Sequence, residues 1–129
     1  MEYYLSKTTE YDFDTAVDKA TAALQEVGFG ILTEIDMAGT LKKKLDVDIR
    51  PYKILGACNP KLAYTAFQNE MEIGALLPCN VIVHEQPDGK TRVAIMDPLQ
   101  MMQFTGNEKL NEIASEARER LERALEKIG

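Results

Sequence analysis

Long hydrophobic runs, histidine and cysteine are scarce in this sequence, and basic residues are fewer than acidic ones. No apolar stretch approaches the ~20 residues that cross a bilayer. The start, Met1-Glu2-Tyr3-Tyr4, lacks the basic and apolar regions of a signal peptide. We therefore expect a cytoplasmic protein that does not enter a membrane.

Acidic residues outnumber basic ones, with 21 Asp and Glu against 15 Lys and Arg, so the net charge is −6. An acidic chain repels phosphate backbones. Nucleic acid and anionic membrane surfaces are therefore not expected partners.

The groups that commonly carry catalysis are few. The chain has two cysteines, Cys58 and Cys79, and one histidine, His84. The cysteines form no C-x-x-C pair and should be reduced thiols in the cytosol. No nucleophile has a recognisable histidine–carboxylate arrangement, and no phosphate-binding glycine motif or H-E-x-x-H occurs. We therefore predict no catalytic residue, cofactor or metal ligand, and favour binding over catalysis.

What is present is an ordinary globular pattern, with 129 residues of which 45% are hydrophobic. This length fits one domain over residues 1–129. Alternating apolar residues predict strands over residues 29–35 and 52–58, a short aromatic segment predicts one over residues 3–7, and β-like apolar runs predict two more over residues 79–85 and 91–97. The turn signal Pro87-Asp88-Gly89 makes the last two an antiparallel hairpin.

Helical spacing of apolar residues predicts helices between these strands. One runs from about Asp12 to Val27, and a short one covers residues 36–45. Asn59-Pro60 and Asp97-Pro98 each combine a capping side chain with a proline at the first helical position. The last helix has the longest apolar stripe, and the Thr105 and Glu108 before it have capping-box spacing.

The order is therefore β-α-β-(α)-β-α-β-β-α. We predict an α+β fold with two layers, a mixed sheet and helices packed on it. Residues 81–83 and 93–96 are apolar at both strand parities, so both faces of the hairpin need cover. A second copy of the chain can supply it, which predicts a homodimer; a monomer with residues 101–104 folded over that face is the alternative.

Two motifs place cysteine beside asparagine and proline at strand ends, where binding groups often gather. They are Leu55-Gly56-Ala57-Cys58-Asn59-Pro60 and Leu76-Leu77-Pro78-Cys79-Asn80, and Asp97-Pro98 is a third strand end of similar character. The predicted ligand-binding set is Cys58, Asn59, Pro60, Pro78, Cys79, Asn80 and Asp97. The alternative is that both cysteines are buried small apolar residues and the asparagines are helix caps.

These segments, with Ile73-Gly74-Ala75 before the second and Ile95-Met96 before Asp97, resemble the domain-of-unknown-function 302 family. The resemblance covers nearly the whole chain. It implies a compact α+β domain, usually found as a dimer, in bacteria and archaea. It implies no reaction.

Three functions remain open at this point. The first is a dimeric, non-enzymatic domain that binds a small ligand or a partner near Cys58 and Cys79. The second is a thiol redox or metal-handling protein, which requires the two sulfur atoms to lie close together. The third is a structural or regulatory module that acts through a dimer surface around Met101 and Phe104.

Overall fold

The computed structural model describes residues 2–129, and this part of the chain contains five strands and five α-helices. The strands are β1 Tyr4–Thr9, β2 Gly30–Asp36, β3 Tyr52–Cys58, β4 Cys79–Glu85 and β5 Thr91–Met96. The helices are α1 Phe13–Glu26, α2 Met37–Leu45, α3 Pro60–Asn69, α4 Pro98–Gln103 and α5 Asn111–Lys127. Turns of 3-10 helix occupy Met71–Leu76 and Glu108–Leu110.

The strands form one sheet in the order β1-β5-β4-β3-β2, and every neighbouring pair is antiparallel. The predicted α+β class is confirmed, whereas the predicted mixture of parallel and antiparallel strands is wrong. The reason lies in two connections. Helix α3 and the 3-10 turn after it return the chain to the end of the sheet where β3 finished, so β4 runs back beside β3. Helix α1 carries the chain from one edge to the other, so β1 and β2 never pair.

One face of the sheet carries the main hydrophobic core. Directly paired residues share a face of an antiparallel sheet, and the pairs Leu55–Val81 and Val83–Val93 are almost fully buried on this one. Helices α1 and α5 cover it through their apolar stripes. The side chain of Lys7 also reaches α5, where its Nζ donates to the carbonyl of Leu125.

A second apolar cluster lies beyond the ends of β3 and β4. Its buried members come from α3, the first 3-10 turn, α4 and the region where α5 begins, and they are Ala66, Ile73, Met102, Leu110 and Ala114. The packing of α4 against α5 holds this cluster beside the main core. The chain thus has two adjacent cores whose boundary falls at one end of the sheet.

The side-chain caps predicted for helices from the sequence, at Asn59 and Asp97, are confirmed with one exception, and Asp12 caps α1 in the same way. Asp12, Asn59 and Asp97 accept hydrogen bonds from the backbone amides of Thr15, Leu62 and Leu99, respectively. The exception is the predicted capping box before the last helix. Thr105 Oγ1 instead donates to the carbonyl of Met102, and α5 begins at Asn111 after a 3-10 turn.

Helices within residues 2–129 fall short of the combined length and apolarity that a membrane-spanning helix needs.

Candidate ligand site at the strand ends

The two cysteine motifs meet at one end of the sheet. Cys58 is the last residue of β3 and Cys79 is the first residue of β4, the strand beside it. The Cα atoms of Ala57 and Cys79 are direct partners in the antiparallel register. These residues are about 20 positions apart in sequence. They are neighbours because α3 and the 3-10 turn after it bring the chain back to the end of the sheet where β3 finished.

A cavity of about 350 Å³ lies at this end of the sheet, between the main core and the second cluster, and it is partly open to solvent. Strand ends form its floor, α3 and the first 3-10 turn form one wall, and α4 and α5 form the other. Its lining is almost entirely apolar and is formed by Phe29, Leu32, Ala57, Cys58, Asn59, Leu62, Ala63, Ala66, Phe67, Gly74, Leu77, Pro78, Cys79, Pro98, Met102, Leu110, Ile113, Ala114 and Ala117.

Small side chains line both helical walls of the cavity. The two helices that face each other across it present alanines, namely Ala63 and Ala66 on α3 and Ala114 and Ala117 on α5. An alanine fills its helix position without reaching the opposite wall. The main core combines leucines, such as Leu24 and Leu121, with alanines, such as Ala20, and all three are fully buried. Space remains at the cavity, where the alanines of α3 and α5 face each other.

Asn59 fixes the rim where β3 turns into α3. Its Oδ1 accepts from the amide of Leu62 at 3.1 Å and so begins the helix. Its Nδ2 lies against Gly28, where a Cβ atom would come within 2.9 Å of it. Gly28 also has a φ of 88°, which suits glycine, so both its conformation and this close approach require the absence of a side chain.

Pro78 closes the floor beside β3. A Cβ atom on Gly56 would lie 2.7 Å from the Cγ of Pro78 and would also overlap the Thr33 hydroxyl. Gly56 is therefore the residue that lets the proline ring approach the strand. The peptide bond between Leu77 and Pro78 is cis.

Both thiols are held in their protonated form. Burial raises the pKa of Cys58, and burial together with the nearby Cys58 raises the pKa of Cys79 to about 11. The thiolate is the form that attacks a disulfide or binds a metal. At neutral pH these groups act as small apolar surfaces with weak S–H donors.

The register gives the two cysteines opposite strand parity. Cys79 faces the side of the sheet that its partner Ala57 faces, and alternation along β3 directs Cys58 to the other side. Both cysteines are free. Among residues 2–129, no three His, Cys, Asp or Glu side chains lie close enough together to hold a metal ion.

The remaining members of the predicted set lie outside the cavity. Pro60 is exposed at the start of α3. Asn80 is exposed and lines a depression on the opposite face of the sheet. Asp97 is buried, caps α4, and lies 3.2 Å from the Nε of Arg118 in an ion pair. The structure thus brings together Cys58, Asn59, Pro78 and Cys79.

Most of the cavity wall was not predicted, because it comes from helices. Helical periodicity assigns Ala66 and Ala114 to buried stripes, which is correct, but a stripe does not show that two of its small residues face each other. The signal that was available is the recurrence of alanine within these stripes, at positions 63 and 66 and again at 114 and 117.

The chain is therefore a small α+β domain with a five-stranded antiparallel sheet and an apolar cavity at one end of the sheet. The chain belongs to the DUF302 family: the model described as "Domain of unknown function DUF302" matches residues 5–128. A crystal structure of an uncharacterized conserved DUF302 protein from Bacillus stearothermophilus has the same fold, with a TM-score of 0.93 over 100% of both chains at 23% sequence identity. The comparison with curated proteins gives no match.

Proposed function

We propose that this domain binds a small, mostly apolar molecule in the strand-end cavity, and that it does so as a homodimer in the cytoplasm. The observation that carries the proposal is the cavity, whose volume of about 350 Å³ falls in the range typical of small-molecule sites. Cytoplasmic conditions keep Cys58 and Cys79 reduced, which leaves both thiols available as part of an apolar lining.

The energetic cost of the cavity supports a bound molecule. A closed, rigid void costs about 24 cal/mol per Å³, which gives an upper bound of about 8 kcal/mol for 350 Å³. Partial opening to solvent lowers this figure. An apolar molecule in the cavity recovers the contacts that the alanines leave unmade.

Lining chemistry sets the class of ligand. Asn59 already uses its Oδ1 to cap α3, and the two thiols are protonated and weak hydrogen-bond donors. The cavity therefore offers a ligand apolar contact surface and few hydrogen-bonding groups. Its volume is roughly twice that of a cavity of ~150 Å³ that takes one benzene, so a bicyclic ring or a medium-length alkyl chain fits the space.

A series of straight-chain primary alcohols tests the proposal. Binding followed by calorimetry should tighten about fourfold for each added methylene, because each contributes ~0.8 kcal/mol, and should level off once the cavity is full. The alanine methyl signals of Ala66 and Ala114 should shift in NMR spectra. Absence of saturable binding for every chain length would refute the proposal.

The dimer part of the proposal rests on a separate surface. The connection between β2 and β3, together with the end of β2, carries four apolar side chains that are 43–67% exposed: Ile35, Leu45, Val47 and Ile49. Three consecutive lysines, Lys42 to Lys44, also lie in this segment, and Lys42 forms ion pairs with Asp46 at 2.9 Å and Asp48 at 3.5 Å. Opposite charges flanking exposed apolar side chains suit a contact that repeats itself about a two-fold axis.

A double variant, V47E with I49E, tests the dimer. We expect light scattering to show a change from the mass of two chains to that of one. The matched control is M101E with F104E, which adds the same charge at α4 and replaces another exposed apolar side chain, Phe104. Dissociation by the control pair alone would move the contact to α4 and overturn the proposed surface.

A further inference from the structure

The face of the sheet opposite α1 and α5 has an unusual charge composition. Its strand residues follow from the register, because direct partners share a face. They are Tyr4, Ser6, Thr8, Gly30, Thr33, Ile35, Tyr52, Ile54, Gly56, Cys58, Asn80, Ile82, His84, Arg92, Ala94 and Met96. This set includes no aspartate or glutamate, although the chain carries 21 of them. Arg92 is the one permanent positive charge in the set.

Arg92 is held in place without being neutralised. Its Nη2 donates to the hydroxyl of Ser6 at 2.7 Å, and its Nη1 lies 3.4 Å from the hydroxyl of Thr8. Both partners are neutral. None of the ion pairs among residues 2–129 involves Arg92. The guanidinium is thus oriented by one neighbouring strand while its charge remains available.

The depression that Asn80 lines on this face has a volume of about 460 Å³ and lies beside this guanidinium. We call it the second cavity. Ile82, Ala94 and Met96 give it an apolar floor, and Met101 of α4 contributes at one end. His84 lines it next to Arg92, to which it is a direct cross-strand partner. The His84 ring also stacks on Tyr52, with centroids 5.3 Å apart.

We infer that this second cavity binds a small amphipathic carboxylate, with the carboxylate on Arg92 and the hydrocarbon part over Ile82, Ala94 and Met96. A guanidinium binds carboxylate through two parallel hydrogen bonds, and this one is oriented and carries no acid partner. The adjacent apolar floor selects a ligand that has hydrocarbon beside its charge. The strand residues of this face add no negative charge beside Arg92.

Octanoate and its neutral analogue octanamide test the inference, because they share a chain and differ in charge. Octanoate should bind with 1:1 saturation and shift the methyl signals of Ile82 and Ala94, and octanamide should bind at least about tenfold more weakly at this face. R92Q should weaken octanoate by about ten- to a hundredfold, and R92K should retain part of the binding. The matched control is R123Q, which removes the same charge from an exposed position on α5.

The A63L variant separates this site from the strand-end cavity, since Ala63 lines only the latter. Octanoate shifts at Ile82 and Ala94 that persist in A63L support the inference, whatever becomes of alcohol binding. Equal binding of octanoate and octanamide, or equal effects of R92Q and R123Q, would overturn it. A loss of dimer mass in R92Q without any octanoate binding would also overturn it, because the face would then be a contact between copies.

Discussion

Replacing Ala63 by leucine should fill part of the strand-end cavity and stabilise the fold. Ala63 lies in α3, is partly buried and lines the cavity. Leucine adds three carbon atoms, each contributing ~0.8 kcal/mol when buried, or ~2.4 kcal/mol at full burial. Since the cavity is partly open to solvent, we expect about half of this, a gain of about 1 kcal/mol in the free energy of unfolding.

Chemical denaturation measures this gain directly. The midpoint of unfolding in guanidinium chloride should rise while the slope stays constant, because the surface exposed on unfolding hardly changes. For a domain of 129 residues, 1 kcal/mol corresponds to a rise of about 3–6 °C in the melting temperature. The same variant should lose alcohol binding, because the added side chain occupies the ligand's volume.

Two alanine-to-leucine controls determine whether the gain comes from the cavity. Ala20 is fully buried in the main core, where extra carbon atoms have no space, so A20L should lose about 1–3 kcal/mol. Ala22 is exposed on α1, so A22L should stay within about 0.5 kcal/mol of the parent. If A63L destabilises the protein as A20L does, there is no usable space beside α3 and the reasoning is refuted.

Three further predictions concern the surroundings of the cavity. Because the folded pKa of Cys79 is about 11 against an ordinary value of 9.0, the unfolded chain loses this proton first. Stability should therefore fall by roughly 2–3 kcal/mol as the pH rises from 9 to 11, and C79A should remove that decline in denaturation curves measured across this range. G56A should destabilise by about 1–3 kcal/mol through overlap with the neighbouring proline ring, whereas G30A, whose added carbon meets nothing within 4 Å, should not; equal melting temperatures for the two variants would contradict this. D97N keeps an oxygen to cap α4 but removes the charge opposite Arg118, which is itself partly exposed. It should cost about 1–2 kcal/mol at low salt, and a loss that is unchanged in 1 M salt would count against an electrostatic origin.

Much of the fold could be predicted because its elements have clear periodicity. The helix predicted from about Asp12 to Val27 is confirmed as α1, and the predicted hairpin of residues 79–85 and 91–97 is confirmed as β4 and β5. Strand direction could not be predicted in the same way. A helix between two strands usually brings a parallel crossover, but here β2 and β3 pair antiparallel across α2, and β3 and β4 pair antiparallel across α3 and the 3-10 turn at Met71–Leu76.

At the start of the last helix, burial of an apolar side chain outweighs the capping box that the local sequence predicts. Thr105 and Glu108 have capping-box spacing, yet Thr105 bonds back to Met102 at the end of α4. The chain then needs a second 3-10 turn before α5, with Leu110 fully buried in the second cluster. Burial of one leucine stabilises by roughly 1.5–3 kcal/mol, more than the ~1 kcal/mol that a typical cap contributes.

Cysteine and asparagine are adjacent in both sequence motifs, but the structure places both residues of one pair at the same cavity and those of the other pair at different cavities. Cys58 and Asn59 span the point where β3 turns into α3, so both line the strand-end cavity. Cys79 and Asn80 both lie within β4, where neighbouring side chains point to opposite faces. Cys79 therefore belongs to the strand-end cavity, while Asn80 belongs to the depression beside Arg92. Neighbouring residues of a motif that lies within a strand therefore reach opposite faces of the sheet. For this reason the set predicted for the strand-end cavity includes Asn80, which lies at the depression on the other face.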